Sequence, residues 1–140
     1  MADNWAVPTP ATTASPPRCC PCQSGDSYRD CCGPLHDGLS AAPTAERLMR
    51  SRYSAFAVGD VGYLLATWHP STRPHDFELD AALVWTRLDI ERIERGGPFD
   101  TDGVVEFTAQ CRAAGIRSRQ HEVSRFVRVD HRWLYLDASN

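Results

Sequence analysis

At 140 residues, 42% of them hydrophobic and 24% charged, the chain has room for one ordinary domain and a small appendage but not for two full cores. A formal net charge of -3 at pH 7 excludes a general electrostatic pull toward nucleic acid or an anionic membrane, so any basic function has to be local. No apolar run approaches the roughly 20 residues of a membrane span, and the N-terminal stretch lacks the basic start and apolar centre of a secretory signal, which leads to the expectation of a cytoplasmic protein with no membrane attachment.

Residues 1–17 are rich in Pro, Thr and Ala, with Pro8, Pro10, Pro16 and Pro17 interrupting any regular element. They predict a loosely ordered leader, with Trp5 its only aromatic group. A small module follows over residues 18–40. It holds Cys20-Pro21-Cys22 and Cys31-Cys32, two short pairs joined by a loop. In a reducing compartment clustered cysteines serve as metal ligands rather than disulfides, and this pattern suits zinc, which accepts four thiolates tetrahedrally. Four cysteines leave no open coordination position, so the expected zinc is one structural ion. Cys19 neighbours Cys20 and can compete with it; the tighter Cys-Pro-Cys unit assigns the role to Cys20. Adjacent Cys31 and Cys32 can share an ion only from a turn or a helix start, which Gly33 and Pro34 permit. Tyr28 is expected to fold its ring across the module, and Arg18, Arg29 and backbone amides to offset the surplus charge of the thiolates.

Residues 41–140 predict an α+β domain. Thr44 can cap a helix whose apolar face carries Ala45, Leu48, Met49, Tyr53 and Phe56, with Gly59 as its stop. Asp60 can cap a shorter helix bearing Tyr63, Leu64, Leu65 and Trp68, ending before Pro70. The period then changes to two: Val105, Phe107, Ala109 and Cys111 share one face of a half-buried strand. Similar segments are expected near 86–95, 117–129 and 132–137, separated by turns at Gly96-Gly97-Pro98, Ala113-Ala114-Gly115 and Asp130-His131. Helices followed by an antiparallel meander predict strands curled around the first helix.

The run from Cys20 to Cys32 resembles the SEC-C zinc motif. With Gly33-Pro34-Leu35-His36, the segment from Leu48 to Phe56 and the segment from Tyr63 to Trp68, the chain from about Arg18 to Asp137 resembles the YchJ-like family. That resemblance implies a zinc-binding segment followed by a cone of the nuclear transport factor 2-like (cystatin-like) kind, with no activity to carry over. Two positions depart from the pattern. Gln23 stands where the motif usually has glycine, which strains the turn if a positive φ is needed, and Asp130-His131 replaces a glycine-bearing turn.

The remaining chemistry is sparse. His121 and Glu122 are adjacent on a predicted strand, so at most one can face the hollow of a cone. Tyr53, Trp68, His69, Trp85, Trp133 and Tyr135 could line that hollow, but are expected as core, and Cys111 as a small buried hydrophobe. Arg112, Arg117, Arg119, Arg125, Arg128 and Arg132 are expected on a solvated sheet face laced with carboxylates. The functional expectation is a zinc protein without catalysis, its module a knob for a protein partner and its cone a surface for a protein or small molecule. The alternative is an enzyme with an acid/base site in the cone, for which His69, His121 and Glu122 are the candidates. Nucleic-acid binding is third, against the acidic balance.

Overall fold

A computed structural model describes residues 18–139; the predicted leader and Trp5 lie outside them. A 3-10 turn (Tyr28–Asp30) leads into α1 (Cys32–His36), then α2 (Ala45–Val58) and α3 (Val61–Ala66). Four strands complete the order: β1 (Val84–Arg95), β2 (Asp102–Ala113), β3 (Ile116–Val129) and β4 (Arg132–Ser139). They form one antiparallel sheet in sequential order, the meander expected of them. No helix among the described residues is long and apolar enough to cross a membrane.

The predicted caps are in place. The Thr44 hydroxyl accepts from Arg47 N at 3.1 Å, Asp60 accepts from Tyr63 N at 3.0 Å, and Gly59 ends α2 at φ 82°. The alternation in β2 is also as expected: Val105, Phe107, Ala109 and Cys111 are all buried, facing the helix layer. Ala45, Leu48, Met49 and Tyr53 of α2 meet them, joined by Leu88, Phe126 and Trp133. The β2–β3 and β3–β4 turns each place two consecutive residues at positive φ, Ala114-Gly115 and Asp130-His131, which matches the twist of tight hairpins. Register shifts at Trp85/Arg87 and Ile90/Arg92 in the first pair and at Arg125/Phe126 in the last bend the sheet over α2.

Trp68 departs from the helical expectation. α3 ends at Ala66, because Tyr135 N donates to Thr67 O and His69 N to Tyr135 O, both at 2.8 Å, and these bonds carry the chain onto the edge of β4. Trp68 thereby forms a parallel bridge with Tyr135 instead of a further helical turn.

Candidate functional site

Four sulfurs gather beside α2. Those of Cys20, Cys22, Cys31 and Cys32 all lie within 4.8 Å of one another, and Cys22 and Cys32 are fully buried. Zinc–sulfur bonds of about 2.3 Å in a tetrahedron separate the sulfurs by about 3.8 Å. The Cys22–Cys31 and Cys31–Cys32 sulfur separations of 3.6 Å and 3.9 Å bracket that value, so the cluster fits the ion. Cys19 is exposed and stands outside it. As bare thiols Cys20, Cys22 and Cys32 cannot all ionise: hydrogen bonds from Cys22 and Cys32 hold Cys20 far below the usual thiol range, and the contact with Cys20 pushes those two up. A divalent cation removes that conflict by stabilising every thiolate at once.

The backbone of the module is built for this convergence. Cys20 N donates to Asp26 O at 2.9 Å and Gln23 N to Cys20 O at 3.0 Å, closing the loop after the first pair. Cys31 precedes α1 and Cys32 opens it, the helix start that adjacent ligands need. Tyr28 packs on the cluster as expected and donates its hydroxyl proton to His36 Nδ1 at 2.6 Å; His36 Nε2 donates to Ser51 O of α2 at 2.8 Å. This link between module and helix was not anticipated.

Nor was the cation beside the sulfurs. Arg18 and Arg29 are exposed, whereas Arg47 of α2 directs Nη1 to Cys31 Sγ at 3.5 Å and Nη2 to Cys31 O at 3.3 Å. Burial works against its charge, but Cys31 and Cys32 more than offset this and raise it overall. Ser54 lies 3.3 Å from Cys32 Sγ and 3.4 Å from Cys20 Sγ, and Arg50 donates to Cys22 O at 2.8 Å. In the sequence these residues fall at i, i+3 and i+7 on α2, off its apolar face, and only an expectation that the module docks there would have singled them out.

On its other flank α2 borders a second feature, a cavity of about 370 Å³ between the helix, the hollow of the sheet and the segment 77–85. Tyr53, Trp68, Trp85 and Tyr135 line it; of the predicted aromatic set Tyr53 and Trp133 are buried in the core as expected, whereas Trp68, Trp85 and Tyr135 are only partly buried. Trp68 lines it from its bridge with Tyr135, and the register of β1 shifts beside Trp85. Of the acid/base candidates, Glu122 reaches this cavity while His69 and His121 do not. His69 accepts from Ser71 N at 3.1 Å in an exposed turn, and His121 stands on the outer sheet face, 2.7 Å from Glu106. Alternation along β3 enforces that split. Sequence inspection missed Arg52, which is buried at the same cavity.

The outer face is the expected solvated array. Arg125 pairs with Asp137 at 2.6 Å and Arg92 with Glu106 at 2.9 Å, while Arg117 and Arg119 are exposed. Cys111 is buried, with its sulfur 3.1 Å from Ser118 Oγ.

Known proteins match both parts of this architecture. Residues 20–34 match the SEC-C motif model, and residues 44–138 the model of the YchJ middle NTF2-like domain. A UPF0225 protein of Streptomyces coelicolor is 52% identical over 118 residues, covering 84% of this chain and 92% of its own. One from Chromobacterium violaceum is 51% identical over 121 residues, covering 84% and 89%. Among solved structures, the solution structure of a SEC-C motif containing protein from Rhodopseudomonas palustris aligns with a TM-score of 0.75 at 34% identity, over 86% of this chain and 96% of that one. The crystal structure of another from Psychrobacter arcticus gives 0.70 at 30%, over 86% and 82%.

Proposed function

The chain belongs to the YchJ-like family of SEC-C-containing UPF0225 proteins, and we propose that it works as a non-catalytic binding protein in which one structural zinc fastens the SEC-C module to a ligand-receiving cone. Cys20, Cys22, Cys31 and Cys32 hold the ion. The observation that carries this reading is the position of α2: Arg47, Arg50 and Ser54 meet the thiolate cluster, and Met49, Arg52, Tyr53 and Phe56 of the same helix line the cavity. A metal closed off by four sulfurs has no position for a substrate, so its contribution is to fix that helix. The cavity walls, largely aromatic and aliphatic with Arg52 among them, support a binding role.

Elemental analysis of the purified chain tests the metal. Close to one zinc per chain is expected, lost when Cys31→Ser and Cys32→Ser are combined. Reduced protein that carries no zinc, or a double variant that keeps it, overturns the reading.

A further inference from the structure

Arg52 is the least expected residue of the cavity. It comes from the middle of α2 and is only 4% exposed. Its Nη1 donates to Leu64 O at 2.8 Å and to Thr67 Oγ1 at 2.7 Å, which satisfies the end of α3. The guanidinium lies 5.0 Å from the centroid of the Trp68 ring and 4.6 Å from that of Tyr135. Those rings stabilise a cation but accept no in-plane hydrogen bond. Among the described residues no carboxylate pairs with Arg52, and its Nε and Nη2 donate to no protein acceptor. Burial works against the Arg52 charge, Glu122 on the same cavity favours it without forming an ion pair, and a structural role at α3 uses only one of the guanidinium's nitrogens.

A second donor in the same wall is also unmatched. Trp68 Nε1 is buried and has no hydrogen-bond partner. A guanidinium with two nitrogens free of protein acceptors and a buried indole N–H without a partner thus stand in the walls of one cavity that is otherwise largely aromatic and aliphatic. The missing group is an anionic acceptor attached to an apolar body. The acidic side chains set a limit on its charge: Glu122 lines the cavity, and Glu78 and Asp80 line it from exposed positions. One negative charge can settle on Arg52, but a second, carried toward those carboxylates, meets repulsion.

We propose that the cavity binds a small organic monocarboxylate with an aromatic or branched aliphatic body, its carboxylate held by Arg52 and Trp68 Nε1 and its body packed among Tyr53, Phe56, Phe77 and Trp85. The volume of about 370 Å³ suits a molecule of one ring and a short chain. This assignment rests on the reading of the cone as a ligand site, and adds the chemical class.

The test uses the zinc-loaded full chain and three probes: 3-phenylpropanoate, its neutral counterpart 3-phenylpropan-1-ol, and the dianion phenylsuccinate. Binding is followed through backbone amide NMR shifts. The expected result is saturable binding of 3-phenylpropanoate at least about tenfold tighter than the alcohol or phenylsuccinate, with the largest shifts around the cavity. Arg52→Gln should bring acid and alcohol close to parity. Because that change also removes the bonds to α3, Trp68→Phe provides an independent variant: it keeps the ring, deletes the N–H, and should weaken the acid more than the alcohol. Equal affinities of acid and alcohol for the unaltered protein would overturn the carboxylate assignment and leave the ligand site standing. Tighter binding of phenylsuccinate would overturn the single-charge limit, and no saturable binding by any probe would overturn assignment and ligand site together.

Discussion

Gln23 has a left-handed φ of 65°, a conformation that costs a residue with a Cβ about 1 kcal/mol more than glycine. Its side chain explains why a non-glycine residue is tolerated. The carboxamide lies along β1, an edge strand, accepting from Leu88 N at 3.2 Å and donating through Nε2 to Thr86 O at 3.1 Å. It covers edge groups that would otherwise face solvent or a second sheet, and it ties the metal loop to the cone. Gln23→Ala keeps the strain and loses both bonds, so it should destabilise the zinc-loaded protein by about 2 kcal/mol. Gln23→Gly loses the bonds but relieves the strain, and should cost about 1 kcal/mol less than the alanine variant. Denaturant titration of the two variants decides the matter; alanine tolerated as well as glycine would show that the backbone there is unstrained.

At the level of elements, the start of α2 is set against the β1–β2 hairpin by three small residues. Ala45 N donates to Gly96 O at 2.9 Å, and a Cβ on Gly103 would stand 2.5 Å from Gly96 Cα and 3.2 Å from Ala45 Cβ. The first of those obstacles is backbone and cannot swing aside. Gly103→Ala should therefore cost about 1–3 kcal/mol, whereas Gly62→Ala in α3, with Asp60 Oδ1 at 3.7 Å its nearest obstacle, should be neutral or stabilising by about 0.5 kcal/mol. Thermal melts of both variants check the contrast, and equal effects would remove the close approach from the account. Helices, caps, strands and turns were legible because each is written in neighbouring residues: Thr44 before Ala45, Asp60 before Val61, alternation from Val105 to Cys111. The four cysteines were legible because their spacing alone brings them together. Arg47, Arg52 and Ser54 were not, since on α2 they read as ordinary polar positions. Their roles follow from what packs on each flank of the helix, which no local pattern records. Trp68 likewise read as a helical residue, and a tertiary bond to Tyr135 decided otherwise.

At the scale of the whole molecule, α2 is the element through which the cysteine cluster and the cavity are joined. Ser51, Arg52 and Ser54 are buried within two turns of it, facing the module, α3 and the cavity. On the proposed reading, loss of zinc leaves Cys20, Cys22 and Cys32 as thiols that cannot all ionise, and it loosens the contacts that Arg47, Ser54 and His36 make across the seam. Because Ser54 is fully buried and Arg47 half-buried beneath the module, those polar groups do not simply return to water unless the module leaves. Stripping zinc with a strong chelator should therefore lower the melting temperature of the entire chain, not of the module alone. A loss of about 2 kcal/mol corresponds to roughly 8 °C for a protein of this size. Acidification should do the same by protonating thiolates, since metal binding releases protons and falling pH opposes it. Two signals separate the possibilities: Trp133, buried in the cone, and Tyr28, packed on the cysteines. If NMR resonances of both are lost together and earlier without zinc, the module and cone form one cooperative unit. If Trp133 melts at the same temperature with and without the metal, the zinc supports only its own loop, and the coupling through α2 is absent.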